Sequence, residues 1–283
     1  MKGTAINLNS VKTAEEALNI SGTNWIAEQE EIITASGKSC SDNKAIVRSD
    51  NGKVIGVVGK RYTPIQNNFA FSFLDVLCRE HNMSYEKAII FDGGKKIMIQ
   101  AKVDGVVTIR PGDELLKYIS FINTFDGTLP FIAKYSFHRL ICKNGLTGLS
   151  RENKATIRHT LNASLKVEEA FRIFGLGMSY FNEFEQGCKI LAQKMLDKKM
   201  VDTFIKGVFG EADSTKVKNQ IEKVISLYEN GTGTGQGTAY CLYNGYIEWI
   251  DHFRTKNPES RLANSVLGAD DKKEKAFEIA LKL

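Results

Sequence analysis

The sequence predicts an α+β fold: an antiparallel, β-rich N-terminal half with one or two helices, followed by a C-terminal helical half. Three observations carry this. Up to about Asn162, short apolar runs are separated by Gly, Asn and Asp turns at hairpin spacing. Beyond it, apolar residues recur at every third or fourth position, the helical period. The strands come first and the helices follow, an order that favours segregated layers over an alternating parallel sheet. With 283 residues, 42% hydrophobic and 25% charged, the chain has the balance of a globular protein large enough for a core of its own. That excludes a disordered tail, a collagen-like chain and a disulfide-dense miniature.

Residues 1–22 are polar and are expected to be loosely ordered. Trp25 to Thr34 and Ala45 to Arg48 have strand character. Ser49-Asp-Asn-Gly52 is a hairpin turn, because Asn-Gly tolerates positive φ, and Val54 to Val58 returns as the partner strand. Pro64 and the residues after it open a helix in which Phe69, Phe73, Val76 and Leu77 mark the apolar face. Asp92-Gly-Gly94 joins strands Lys87–Phe91 and Lys96–Lys102. Leu115–Asn123, Phe131–Lys143 and Ala155–Thr160 are further strands. In the helical half, Val217, Ile221, Val224, Ile225 and Tyr228 share one face, and Asn230-Gly231 stops that helix. Tyr243, Ile247, Ile250 and Phe253 mark another face. Ala276, Ile279 and Leu283 mark a last, charged helix from Asp271. The expected division is therefore 1–22, a β-rich domain 23–161, and a helical region 162–283 packed on it.

Cys40, Cys78, Cys142, Cys188 and Cys241 are odd in number, widely spread and contain no Cys-x-x-Cys pair. They read as reduced thiols of a cytoplasmic protein. The first ten residues lack the apolar core of a signal peptide. No stretch approaches the roughly 20 apolar residues that span a bilayer, so no membrane partner is expected.

The net charge is +5, and its placement is informative. Residues 130–160 hold six cations (Lys134, Arg139, Lys143, Arg151, Lys154 and Arg158) against one acid, Glu152. That segment alone accounts for the excess of the whole chain. It also carries Tyr135, Phe137 and His159. Alternation places Phe131, Ala133, Tyr135 and Phe137 on one face. The phase is then expected to slip at a bulge near His138, burying Leu140 and Cys142 and exposing Arg139 and Lys143. Cations interleaved with aromatics suit a phosphate backbone with stacked bases. A solvated sheet face is the plainer reading of the same pattern. Single strands suit it better than duplex, because the sequence carries no recognition-helix signature.

Gly231-Thr-Gly-Thr-Gly-Gln-Gly-Thr238 precedes a helix. It reads as an interhelical linker with Thr238 as N-cap, or as a phosphate contact through Gly233, Gly235, Gly237 and Thr238. It is neither a P-loop nor a dinucleotide fingerprint. Asp92, Gln100 and Lys102 resemble in spacing a degenerate metal-nuclease triad, but one carboxylate is a poor magnesium site. Neither the four scattered histidines nor the single acid of Asp126-Gly-Thr128 makes a metal or acid/base pair. No catalytic residue, metal ligand or cofactor is assigned.

Several strings resemble blocks of a phage/plasmid-like protein family of unknown function. They are Arg48-Ser-Asp, Gly56-Val-Val-Gly59 and Tyr62-Thr-Pro-Ile-Gln-Asn67; Arg139-Leu-Ile-Cys142-Lys-Asn144 and Arg158-His-Thr160; and Gly237-Thr-Ala-Tyr240, Asn244, Asp251-His252 and Gly268-Ala269. The resemblance runs from about residue 14 to the end, and the chain lacks the Trp-His-Gly start common in that family. It implies a mobile-element gene and no established activity. The β-then-α layout is also similar to that of phage single-strand annealing proteins. The expectation is a non-enzymatic, self-associating protein that binds single-stranded DNA and promotes annealing. The alternatives are a protein-binding module, such as an inhibitor of host defence, and a metal-dependent nuclease.

Overall fold

The computed structural model describes residues 2–141, 145–146, 154–163, 166, 179–211, 214–255, 257, 261 and 270–283. They form an α+β fold in two compact units that interleave along the chain. Met1–Asp104, Tyr118–Lys134 and Lys154–Gly177 belong to the first; Gly105–Lys117, Tyr135–Asn153 and Met178–Leu283 belong to the second. The division therefore does not fall once, near residue 162. Three strands, β6 (Lys96–Arg110), β7 (Asp113–Thr124) and β8 (Phe131–Arg139), contribute residues to both units.

In the first unit the main sheet runs β1 (Gly3–Asn7), β5 (Met83–Phe91), β6, β7, β8 and β10 (Lys154–Ile157). A second antiparallel sheet is β2 (Ala27–Ile33), β3 (Ser39–Arg48) and β4 (Val54–Gly59). The β5–β6 turn puts Asp92 and Gly93 at φ 49° and 73°, the twist-matched geometry that Asp-Gly tolerates. The β3–β4 turn is looser than Asn-Gly suggests. Only its Gly52 has positive φ, the Arg48 N–H reaches the Lys53 carbonyl, and the register shifts at Ile46/Val47. Gly56 of β4 has no room for a side chain, since a Cβ would lie 2.1 Å from the Phe125 carbonyl oxygen.

Residues 2–22, expected to be loosely ordered, instead hold a paired strand and a capped helix. β1 pairs with β5 along its length, from Gly3↔Phe91 to Asn7↔Lys87. Helix α1 (Ala14–Ser21) is capped by Thr13, whose hydroxyl accepts from the Glu16 N–H, and ends at left-handed Gly22. Leu8, Val11, Ala14, Ala17 and Leu18 are buried. The apolar residues are few, and most of those in α1 fall on its buried side, with Ile20 exposed. Helix α2 (Asn67–Glu80) buries Ala70, Phe71, Leu74 and Leu77, so of the expected stripe only Leu77 is buried. Phe69 and Phe73 form a half-buried edge-to-face pair and Val76 is exposed. Two aromatic stripes compete in this helix, and the one containing small Ala70 packs inward.

The second unit holds α3 (Ser179–Gln193), α4 (Lys198–Phe209), α5 (Thr215–Asn230), α6 (Ala239–Glu248, continuing as a π-turn through Phe253) and α7 (Asp270–Lys282). Asn230-Gly231 ends α5 as expected. Helix α6 is buried nearly all round, the mark of a central helix. Gly245 allows this packing: a Cβ there would sit 2.8 Å from the Tyr228 backbone nitrogen of α5. Phe137 stacks on Phe184 of α3, and Phe184 on Phe277 of α7. Two-residue β9 (Gly145–Leu146) pairs with the end of β8.

Candidate nucleic-acid interface

The described cations of the basic stretch do not form one surface. Along β8 the alternation runs unbroken through Phe131, Ala133, Tyr135, Phe137 and Arg139, all buried, with no phase slip at His138. Leu140 and Ile141 are 47% and 45% exposed instead. Tyr135 and Phe137 pack on Tyr180, Phe181 and Phe184 and are core residues. Lys134, on the opposite side of the strand, is also buried. Lys154 is half-buried in β10, in register with Lys134. Lys143 and Arg151 lie outside the described residues. Arg158 alone among the four described cations of this stretch is exposed.

Arg139 has no exposed surface, and its partners explain why a cation stands in the apolar series. Its guanidinium forks onto Asp113, with Nε donating to Oδ1 at 2.6 Å and Nη2 to Oδ2. Nη1 and Nη2 donate to the Thr232 and Gly233 carbonyls, both at 2.9 Å. Arg110 donates to the same Asp113 at 3.2 Å, to the Gly233 carbonyl, and to Gln236 Oε1 at 2.7 Å. Both guanidiniums lie over the Tyr240 ring. Two cations thus share one buried carboxylate, with backbone carbonyls and a π-face taking up the remainder.

This network also explains the glycine-rich string. A Cβ on Gly233, at φ +66°, would lie 2.7 Å from Arg139 Nη2, so the loop approaches the arginine as only glycine can. At Thr232 and Gly233 it is carbonyl oxygens that turn to cations, the reverse of a phosphate cradle. The Gly235 N–H donates to the Tyr228 carbonyl, and the Gly237 carbonyl accepts from the Leu196 N–H. Thr238 caps α6, its hydroxyl accepting from the Cys241 N–H. Those bonds hold the Cys241 thiol close: burial raises it, but hydrogen bonds from Thr238 and Arg110 outweigh that and lower its pKa.

Three exposed cations line one cleft of the first unit. A cleft of about 960 Å³ is lined by Lys60, Arg61, Tyr62, Arg158, His159 and Thr160, with 127–130, Asp42, Gly59 and Thr156 completing it. Lys60, Arg61 and Arg158 are exposed cations, and Lys60 pairs with Asp42 at 2.8 Å. Tyr62 stacks on His159, with centroids 4.7 Å apart and planes 17° apart. The Tyr62 hydroxyl donates to the Thr124 carbonyl at 2.7 Å, and burial pushes its phenol up. His159 Nδ1 accepts from the Ile65 N–H at 3.3 Å, which places the ring proton on Nε2. Burial drives the His159 pKa down to about 4, with Asp126 opposing weakly, so the ring is neutral. Burial also works to raise Asp126, but hydrogen bonds from Thr128 and the Lys96 ion pair hold it below the usual carboxylate range.

Of the sequence candidates among the described residues, only Arg158 and His159 line this cleft. Lys60, Arg61 and Tyr62 were not singled out as site residues. Their signal was a cation doublet followed by an aromatic, just after a strand and before Pro64. The nuclease-like trio is dispersed in role. Asp92 accepts from the Lys2 N–H in its turn, and buried Gln100 donates to Ser120. Among the described residues no group of three or more His, Cys, Asp or Glu side chains is placed to hold a metal ion. No helix among them is long and apolar enough to cross a membrane.

The family model described as Domain of unknown function (DUF932) matches residues 54–272. No curated protein and no solved structure matches the chain.

Two consequences are measurable. Replacing Arg139 by Met leaves Asp113 and the Gly233 carbonyl to Arg110 and removes the donor to the Thr232 carbonyl, and is expected to cost about 1–3 kcal/mol of stability. Arg158→Ala should stay within about 0.5 kcal/mol; denaturant unfolding compares them. His159 is held neutral in the folded state while its unfolded pKa is near 6.5, so the unfolded chain binds more protons between those values. Its contribution is complete above about pH 6.5 and is lost as pH falls toward 4, on the order of 3 kcal/mol in all. His159→Gln should remove that part of the stability–pH slope, read as the wild-type minus variant difference.

Proposed function

The chain belongs to the DUF932 family, and we propose that it binds single-stranded nucleic acid, DNA in the first instance, through the cleft of its first unit, without catalysing a reaction. The observation that carries this is the convergence of Lys60, Arg61 and Arg158 on one cleft with a half-buried tyrosine in its wall. These residues come from two segments nearly a hundred positions apart, the end of β4 and the end of β10, so the clustering is a product of the fold. Cations beside an aromatic ring are the parts that track a phosphate backbone and accept unpaired bases. The charge is exposed and therefore available, unlike that of Arg139. Asp42 offsets part of it at Lys60, which leaves Arg61 and Arg158 as the main phosphate contacts.

Fluorescence anisotropy with a labelled, unstructured oligonucleotide at several salt concentrations tests the reading. Three phosphate contacts on a single strand give a slope of log K against log salt of about −2. Arg61→Ala combined with Arg158→Ala should bring the slope to about −1 or less with an unchanged melting temperature, and duplex should compete poorly. An unchanged slope in that variant means a different surface is used. Absence of binding at low salt removes the nucleic-acid reading and turns attention to acidic protein partners.

A further inference from the structure

We infer that Tyr62 is the platform on which one unpaired nucleobase stacks, with His159 as the positioning residue behind it; this deepens the nucleic-acid reading of the cleft and rests on it. The ring lines the same cleft as the cations that would hold the flanking phosphates, immediately after Lys60 and Arg61 in the chain and stacked on the neighbour of Arg158, His159. It is fixed before any ligand arrives. The hydroxyl donates to the Thr124 carbonyl, the backbone N–H donates to the Gly59 carbonyl at 2.9 Å, and the Tyr62 carbonyl accepts from Gln29 Nε2 at 2.8 Å. One ring face lies flat against His159. His159 is held in turn by the Ile65 N–H on Nδ1 and by the Thr63 N–H on its own carbonyl at 3.1 Å.

A ring clamped at its hydroxyl, its backbone and one face loses little freedom when a base covers its other face, and that lowers the cost of binding. The imidazole behind it is neutral, so it adds planar surface without adding a charge. Stacking of this kind tolerates any base, because every base has a π-face, and it demands an unpaired one. The platform therefore accounts for a preference for single strands without sequence readout. It also reassigns the stacking role: Tyr135 and Phe137 are buried in the second unit, and His159 contributes from behind Tyr62.

The test uses the full-length protein with an unstructured oligonucleotide carrying 2-aminopurine, alongside an all-abasic oligonucleotide of the same length and charge. Tyr62→Leu should weaken binding about tenfold and abolish quenching of 2-aminopurine, with the salt slope unchanged. Tyr62→Phe should bind within about twofold of wild type and still quench. Wild type should bind the abasic strand about tenfold more weakly than the base-bearing one, and Tyr62→Leu should bind the two alike. Undiminished affinity or quenching in Tyr62→Leu overturns the inference while leaving the basic cleft standing. If Tyr62→Leu does not fold, equal affinity of wild type for abasic and base-bearing strands overturns it in the same way. Failure of wild type to bind either strand at low salt overturns the cleft reading and the platform with it.

Discussion

A guanidinium with no exposed surface has to be neutralised where it stands, and much of the second unit is arranged around that demand. Arg139 ends a strand whose preceding inward positions are all apolar, so it enters the core by the same alternation that buries Phe137. Asp113 supplies the charge and the fork geometry. Arg110 then overloads the carboxylate, and the surplus is met by carbonyls of the 232–233 loop and by the Tyr240 face. The loop can come that close only because Gly233 has no side chain. The same loop delivers Thr238 to cap α6, the helix on which the core of that unit is built. An ion pair of this kind adds little net stability over an apolar replacement of equal shape, but removing one partner is costly. Its larger effect here is to fix where the glycine-rich loop sits.

A second, smaller arrangement of the same sort orders the cleft of the first unit. Lys96, Asp126 and Thr128 form a closed set of bonds, and Asp126 lies near enough to His159 to oppose its loss of charge. His159 stays neutral all the same, because burial outweighs that one carboxylate. The outcome is a cleft lined by a neutral aromatic pair, Tyr62 and His159, together with the exposed cations Lys60, Arg61 and Arg158. Under the proposed reading, exposed cations and a hydrogen-bonded ring would divide the work of binding: the first would respond to salt, the second to whether a base is present.

Much of the fold was legible in the sequence. The fold class, nearly every strand, the tight Asp92-Gly93 turn, the cap at Thr238 and the stop at Asn230 follow from local chemistry that the tertiary structure does not override. The N-terminus was harder to read, because Leu8, Val11 and Leu18 look sparse until β5 supplies a partner strand and α2 a partner helix. The site was harder still, for one physical reason. Charge counted along the chain says nothing about which cations are paired, and a carboxylate 26 positions away decided that Arg139 faces the core. Asp113 could have been noticed as an acid opening a strongly apolar strand, just after the Pro111-Gly112 turn. Lys60, Arg61 and Tyr62 stood outside the densest basic segment, and only the fold brings them beside Arg158.

The most direct test of this account is amide hydrogen exchange of the full-length protein with and without a saturating, unstructured DNA strand. The account predicts added protection at residues 59–63, 127–130 and 156–160, the segments that line the cleft, and no change at 231–238. Protection confined to the glycine-rich loop, or absent from all three cleft segments while the strand is bound, would contradict it.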